Sequence, residues 1–470
     1  MGHTLSSPVT EKHSIHGKFR DRPFGVSEMQ GWRPTMEDAY IAEPEFASNV
    51  LPNASLFAVF DGHGGDEVSK FCAKHIPEEL PKLQAFKEKN YAQALKQVVL
   101  HMDEMLQDPE HEAEIAAYRE VMIQKQVEKI NNGEENTDPM FKTILELMEN
   151  QEKEQTEQDD GVETAHTGEG DDDDNESGED DEHDENDTNE VSGSHEENEE
   201  ALQDGSTSNF KVVSVQKADK KTLTEDPEMI ATEVEMIPVI KLSEDGTREI
   251  SLEAHMPDNE QEHPEMMFST SAGATAVISL IVDDEAYIAN TGDSRAIIVR
   301  KGIAYPLSED HKPNLERERA RIYKAGGFIN VQGRICDDLN LSRSIGDLRF
   351  KVDDDLSPEE QIVTADPDIK SFTLRSDDQF MVIACDGIWD VMKNQEVADF
   401  VLRQIKNGES RVSRIVELML DKCLSPNLFQ TNGLGGDNMT CIIVFLQSVE
   451  ELKKARMATS LKKTLRRVFR

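Results

Sequence analysis

The sequence predicts an α+β fold, a single core interrupted by a long acidic insert. Two observations carry this. Strand-like apolar runs and helical periodicities recur in two stretches, residues 23–109 and 266–449, and neither stretch is a complete domain alone. Between them the composition turns polar and acidic, so residues 110–265 read as an insert rather than another layer of the core.

The charge is concentrated in that insert. The chain has 470 residues, with 95 Asp+Glu against 50 Lys+Arg and a formal net charge of −45. Residues 154–204 contain 24 acidic side chains and no Lys or Arg, and without them the rest of the chain carries −21. Such a balance argues against direct nucleic-acid binding by phosphate neutralisation, which needs a basic face. No apolar run approaches the roughly 18 residues that cross a bilayer, and the first thirty residues lack the apolar block of a secretory signal. The five cysteines (Cys72, Cys336, Cys385, Cys423 and Cys441) are odd in number, widely spaced and mostly set in apolar runs. They predict reduced, buried thiols in a cytoplasmic or nuclear protein, with neither a disulfide framework nor a cysteine zinc site.

Taken in order, residues 1–22 are polar and predict a mobile terminus. Residues 55–60 have the length and composition of a buried strand. Residues 66–80 follow with Val68, Phe71, Cys72, His75 and Ile76 at helical spacing, and Asp66 is placed to cap that helix. Residues 110–150 predict charged helices. Residues 151–209 have too little apolar surface to offset ordering entropy and predict disorder, while 210–265 are mixed, with a short strand near 239–242. Strands are then expected at 274–282, 285–290 and 295–300. Their connections are too short for a parallel crossover, which predicts antiparallel neighbours. Further strands at 379–385 and 439–446 and helices near 315–325, 395–406 and 413–424 complete the second stretch. Residues 450–470 form a basic tail.

The informative feature is the placement of certain acids. Glu37 and Asp38 precede one apolar run, Asp61, Asp293 and Asp386 each end one, and Asp437 stands just before another. Any one of them is explained by a turn, since Asp-Gly is a common turn dipeptide. Together, at the ends of buried strands, they need positive charge to offset burial and mutual repulsion. Hard divalent cations fit an oxygen-rich site with no neighbouring Cys or paired His. Turn glycines such as Gly62, Gly64, Gly65 and Gly387 let backbone come close to such ions.

Eight motifs follow in order: Gly31-Trp-Arg-Pro-Thr-Met-Glu-Asp38, Val59-Phe-Asp-Gly-His-Gly-Gly65, Gly292-Asp-Ser-Arg295, Asp310-His-Lys-Pro313, Ala325-Gly-Gly327, Leu341-Ser-Arg-Ser-Ile-Gly-Asp347, Ala384-Cys-Asp-Gly-Ile-Trp-Asp390 and Gly436-Asp-Asn438. The set resembles the type-2C, metal-dependent serine/threonine protein phosphatases across nearly all of both ordered stretches. The resemblance implies a central antiparallel β-sandwich flanked by helices (αββα), with two Mg²⁺ or Mn²⁺ ions at one end and a weaker third. It implies that Asp61 bridges both ions, that the Gly62 carbonyl and Glu37 bind one, and that Asp386 and Asp437 bind the other. Asp38 then acts from behind through water, and Asp293 joins Asp386 at the third ion. It also implies hydrolysis of phosphoserine and phosphothreonine by direct attack of a metal-bridging hydroxide, with Arg33 on the phosphoryl group and His63 as general acid. His311 and Lys312 are read as parts of a structural turn. Ala272-Gly-Ala-Thr-Ala276 departs from the family's Ser-Gly-Ser/Thr-Thr-Ala and changes polarity near the site without removing a ligand.

The position of the insert, and the opening Met-Gly-His-Thr-Leu-Ser-Ser-Pro8, are similar to the gamma-type members of this family. Recruitment of basic proteins, such as histones or RNA-processing factors, is the functional expectation for the acidic segment, against a solvated tether with no partner. Gly2 with Ser6 fits the N-myristoylation pattern, and one acyl chain implies only weak, reversible membrane contact. The basic tail suits nuclear import, an anionic membrane surface or docking to the insert. Two other readings stay open at this level: a silent scaffold that binds basic proteins, and a two-metal hydrolase of nucleic acid, which the acidic surface disfavours.

Overall fold

The computed structural model describes residues 4–131, 236–242, 248–254, 272–449 and 451–452. Gly2, the acidic stretch 154–204 and the basic tail from 453 onward lie outside the described residues.

Two antiparallel sheets form the centre of the core. One comprises β1 (His13–Phe19), β2 (Arg22–Met29), β16 (Met439–Phe445), β15 (Asp378–Ala384), β11 (Arg295–Arg300) and β12 (Ile303–Pro306), in that spatial order. The other runs β14 (Asp368–Thr373), β10 (Glu285–Thr291), β9 (Ala276–Val282), β4 (Ala54–Phe60) and β3 (Ala39–Glu43). Every residue of β4, β9, β15 and β16 is buried, so these strands are predominantly apolar on both faces, with only isolated polar positions such as Ser55, Ser279 and Thr440 and the Asp378-Gln379 start of β15. Alternation persists in the partners. Phe57 and Val59 of β4 meet Ile442 and Val444 of β16 between the sheets. Leu56, Ala58 and Phe60 face outward onto α1 (Glu67–Glu79) and α3 (Tyr91–Leu106). On the opposite side, Cys441, Ile443 and Phe445 pack under α7 (Asn394–Lys406) and α8 (Val412–Cys423). The helix–sheet–sheet–helix order is the expected sandwich. A hairpin of β6 (Met236–Leu242) and β7 (Arg248–Ala254) lies in the intervening segment.

Four expectations need correction. Residues 13–19 were placed in a mobile terminus but form the edge strand β1 on β2, and Phe19 is buried between the sheets. Residues from 110 onward were assigned to the insert. Instead α4 (Pro109–Asn131) starts there and buries Ile115 in the cluster beneath α1 and α3, so the helix root belongs to the core. Asp66 occupies the cap position of α1, yet its side chain makes no cap hydrogen bond and pairs with Lys70 instead. Strands β10 and β11 do not pair. The Gly292–Ser294 connection carries the chain from one sheet to the other, and each strand finds its neighbours within its own sheet.

Candidate metal centre

The sandwich delivers carboxylates from both sheets to one end. Asp38 precedes β3 and Asp61 follows β4, and the register Ala39↔Phe60 sets these two acids side by side. Asp386 follows β15 and opens the short helix α6 (Asp386–Trp389), while Asp437 lies just before β16, which is hydrogen-bonded to β15. Asp293 stands in the connection that changes sheets. The Asp386 N–H points at Asp61 Oδ2 from 3.4 Å.

Without a counter-charge these acids destabilise one another. Burial, reinforced by Asp386, Asp38, Asp437 and Asp293, pushes the Asp61 carboxyl well above its ordinary range. Burial and then Asp293, Asp437 and Asp390 do the same to Asp386. Burial raises Asp38 to about 7 even though its Oδ2 accepts a hydrogen bond from Thr440 Oγ1 at 2.7 Å. Asp38 Oδ1 is buried with no hydrogen-bond partner. An orphaned oxygen beside crowded carboxylates fits divalent cations, which take oxygen ligands and supply the missing positive charge. Cys385 lies against Asp38 and Asp61. Burial and those acids drive its thiol far upward, so it stays neutral and accepts the Thr440 N–H at 3.1 Å.

The remaining expected residues are held in place around this cluster. Glu37 accepts from Thr35 Oγ1 at 2.5 Å and from the Gly65 N–H at 3.3 Å. A Cβ on Gly62 would collide with the Glu37 carbonyl oxygen and lie 3.0 Å from Ser69 Oγ, so only glycine lets these two loops touch. Arg33 donates from Nη2 to Asp437 Oδ2 at 2.7 Å and keeps about half of its side chain in solvent. His63 lies in β5 (Gly62–His63), which pairs with β8 (Gly273–Ala274), and that strand pairs with β13 (Ile345–Gly346). This small sheet brings His63 Nε2 within 2.8 Å of Asp347 Oδ2. Burial alone would lower the imidazole, but Asp347 outweighs it and holds His63 above its ordinary value. Asp347 is held low by His63 and Ser344 against the opposing effect of burial.

Three residues of this site were not singled out as functional from sequence. Asp347 ends the Leu341–Asp347 motif, and only its position in that motif marked it. Asn438 knits the Arg33 loop to β16: its Nδ2 donates to the carbonyls of Gln30 and Thr35 at 2.8 and 2.9 Å, and its Oδ1 accepts the Glu37 N–H at 2.9 Å. Lys312, read as part of a structural turn, ion-pairs with Asp293 and so belongs to the site. His311 fits the structural reading, being buried with Nδ1 accepting the Gly292 N–H at 3.0 Å.

Clustered oxygen ligands with an arginine and a buttressed histidine alongside suit metal-dependent hydrolysis of phosphate esters. Comparison with known proteins agrees. The family described as Protein phosphatase 2C matches residues 22–120 and 175–429. Probable protein phosphatase 2C 21 of Arabidopsis thaliana is 34% identical over 450 residues, covering 94% of this chain and 92% of that protein. Protein phosphatase 1G of Rattus norvegicus is 36% identical over 508 aligned positions, covering 94% and 92%. A crystal structure of a phosphatase from a pathogenic strain of Toxoplasma gondii superposes with a TM-score of 0.47 at 19% identity, covering 94% of each chain. The chain belongs to the protein phosphatase 2C family and is a protein phosphatase of a family that uses divalent metal ions.

Proposed function

We propose that this protein hydrolyses phosphoserine and phosphothreonine in proteins with two Mg²⁺ or Mn²⁺ ions, and that a weaker third ion competes with Lys312 for Asp293. The observation carrying this is the convergence of Asp38, Asp61, Asp386 and Asp437 from two sheets, with one buried carboxylate oxygen left unpartnered. Asp61 would hold both ions, the Gly62 carbonyl and Glu37 one of them, and Asp386 and Asp437 the other. When bound, the ions neutralise these carboxylates and supply an activated water as nucleophile.

The protein's own groups do the rest. The Arg33 guanidinium, partly free of Asp437, presents a planar fork to two phosphoryl oxygens. His63, oriented by Asp347 and held by it above its ordinary value despite burial, gives a proton to the departing serine or threonine oxygen. Hydrolysis of a phosphothreonine peptide should appear with Mn²⁺ and vanish with chelator in the native chain. Turnover that persists in chelator would refute the proposal.

The acidic stretch 154–204 recruits basic proteins, such as histone tails or RNA-processing factors, through long-range attraction. Because α4 is rooted in the core, the deletion that tests this must begin after Asn131. It should leave short-peptide hydrolysis intact and abolish binding of a histone-tail peptide at low salt. Gly2 accepts a myristoyl chain that allows weak membrane contact in an otherwise cytoplasmic or nuclear protein. The mass of the N-terminal peptide from eukaryotic cells tests that assignment.

A further inference from the structure

Away from the catalytic cleft, three side chains converge on the seam between α1 and α4. His75 lies on α1, and His111 and Glu114 lie one turn apart on α4. One ligand atom from each falls within 4.8 Å of the other two. His75 Nε2 is 3.1 Å from Glu114 Oε2. Zinc bonds of about 2.0–2.1 Å in a tetrahedral arrangement place neighbouring ligand atoms about 3.3 Å apart. That pair therefore already has the spacing of two zinc ligands. The His111 ring stands edge-on to His75, with centroids 5.2 Å apart, and edge-on to Phe71 at 5.3 Å.

The surroundings hold this arrangement. Glu114 Oε1 accepts from Lys74 Nζ at 2.7 Å and from the Tyr118 hydroxyl at 3.0 Å, which pins the carboxylate against His75. Burial acts to raise Glu114, but the hydrogen bonds from Lys74, His75 and Tyr118 outweigh it and keep the group ionised. Behind the ring, Glu78 Oε2 lies 3.8 Å from His75 Nδ1. In the metal-free protein the Nε2 proton is the one Glu114 accepts; a metal that takes its place leaves the remaining proton on Nδ1, where Glu78 stands to receive it. An ion pair between His75 and Glu114 requires one imidazole. The second imidazole, brought to the same point, makes a nitrogen, nitrogen and oxygen donor set that suits Zn²⁺ and is poorly matched to Mg²⁺.

We propose that His75, His111 and Glu114 form a Zn²⁺ site, completed by water, that fastens α4 to α1. The consequence reaches the catalytic loop. On the same helix α4, Arg119 pairs with Glu67, a fully buried residue at the start of α1 and four positions after His63. The zinc would tie the root of the acidic insert to the helix that follows His63.

The test uses the full-length chain carrying Asp386→Asn, which weakens the catalytic metal centre, after exhaustive dialysis against chelator. Titration with Co²⁺ should give the intense visible absorption of a four-coordinate ion, which oxygen-only six-coordinate sites lack, and one equivalent of Zn²⁺ should displace it. Adding His111→Gln or Glu114→Gln should weaken Zn²⁺ binding at least tenfold. Circular dichroism of the zinc-free variants confirms that both are folded, and both sites are only part-buried. Absence of the four-coordinate cobalt spectrum in the parent, or an unchanged spectrum and affinity in both variants, would overturn the proposal.

Discussion

The carboxylate of Asp347 lies 2.8 Å from Nε2 of His63, fully buried, 284 positions further along the chain. The histidine beside the candidate metal centre is thus oriented by a group that solvent does not reach. Gly273 makes the pairing possible, since a Cβ there would meet Asp347 Oδ2 and lie 2.6 Å from His63 Nε2.

Replacing Asp347 with Asn should remove the charge that holds His63 above its ordinary value, and burial then lowers the imidazole. A general acid must be protonated to act, so the fall in kcat on the alkaline side should move to lower pH. Phosphothreonine peptide turnover should drop by roughly 10²-fold, the lower end for loss of general acid catalysis. Aryl phosphates with good leaving groups should lose much less. Equal losses on both substrates, with an unmoved pH profile, would show that Asp347 serves only the fold.

Gly273→Ala should separate His63 from Asp347 without touching a metal ligand. The expected result is a folded protein whose Mn²⁺ affinity, by calorimetry, is near that of the parent. Its phosphopeptide turnover should fall about as far as in Asp347→Asn. If the double variant is as impaired as either single one, the two changes act through one pairing.

The crowded acids make a prediction for the metal-free protein. Asp38, Asp61 and Asp386 are raised above their unfolded values, so their contribution is fully present below the unfolded carboxylate range of about 4 and is lost as pH rises. For Asp38 the loss is complete above about 7. In chelator, the Tm should therefore fall between about pH 5 and pH 8, and Mg²⁺ should restore most of it. Asp386→Asn should abolish metal-dependent hydrolysis yet raise the Tm of the chelated protein at the alkaline end. Calorimetric melts at both pH values check this, and a lowered Tm there would contradict the repulsion.

Glu318 predicts the opposite pH behaviour. It is buried and accepts from Arg343 Nη2 at 2.6 Å and Arg321 Nη1 at 2.8 Å. Burial opposes its ionisation, but the two arginines win and lower it to about 2. Its contribution is present above the unfolded value and lost as pH falls through about 2. Glu318→Gln leaves two arginines poorly paired and should cost roughly 3–5 kcal/mol in urea unfolding at neutral pH. Since Arg343 lies in the segment that carries Ser344 and Asp347, turnover should fall as well, while Mn²⁺ binding persists.

Much of this architecture was legible because strands buried on both faces are predominantly apolar. Asp38, Asp61, Asp386 and Asp437 stood out as carboxylates adjoining such runs. The edge strand β1 was missed for the complementary reason. Of its seven residues only Phe19 is buried, so the segment has the polar composition of a free terminus. Lys312 was passed over because its partner Asp293 becomes a neighbour only when the chain changes sheets between β10 and β11. The zinc ligands escaped notice in the same way: His75 had been assigned to a helix face and His111 to a charged segment, 36 positions apart.

Hydrophobic patterning alone pointed to the buried strands and the acids at their ends, and motif order to the family resemblance that implied the sandwich and the candidate ligands, because each depends on local spacing along the chain. Which carboxylates repel, which cation answers Asp293, and which acid supports His63 were decided by the pairing of distant strands. Electrostatic energy depends on separation through space and on access to water, and neither quantity is written in sequence distance.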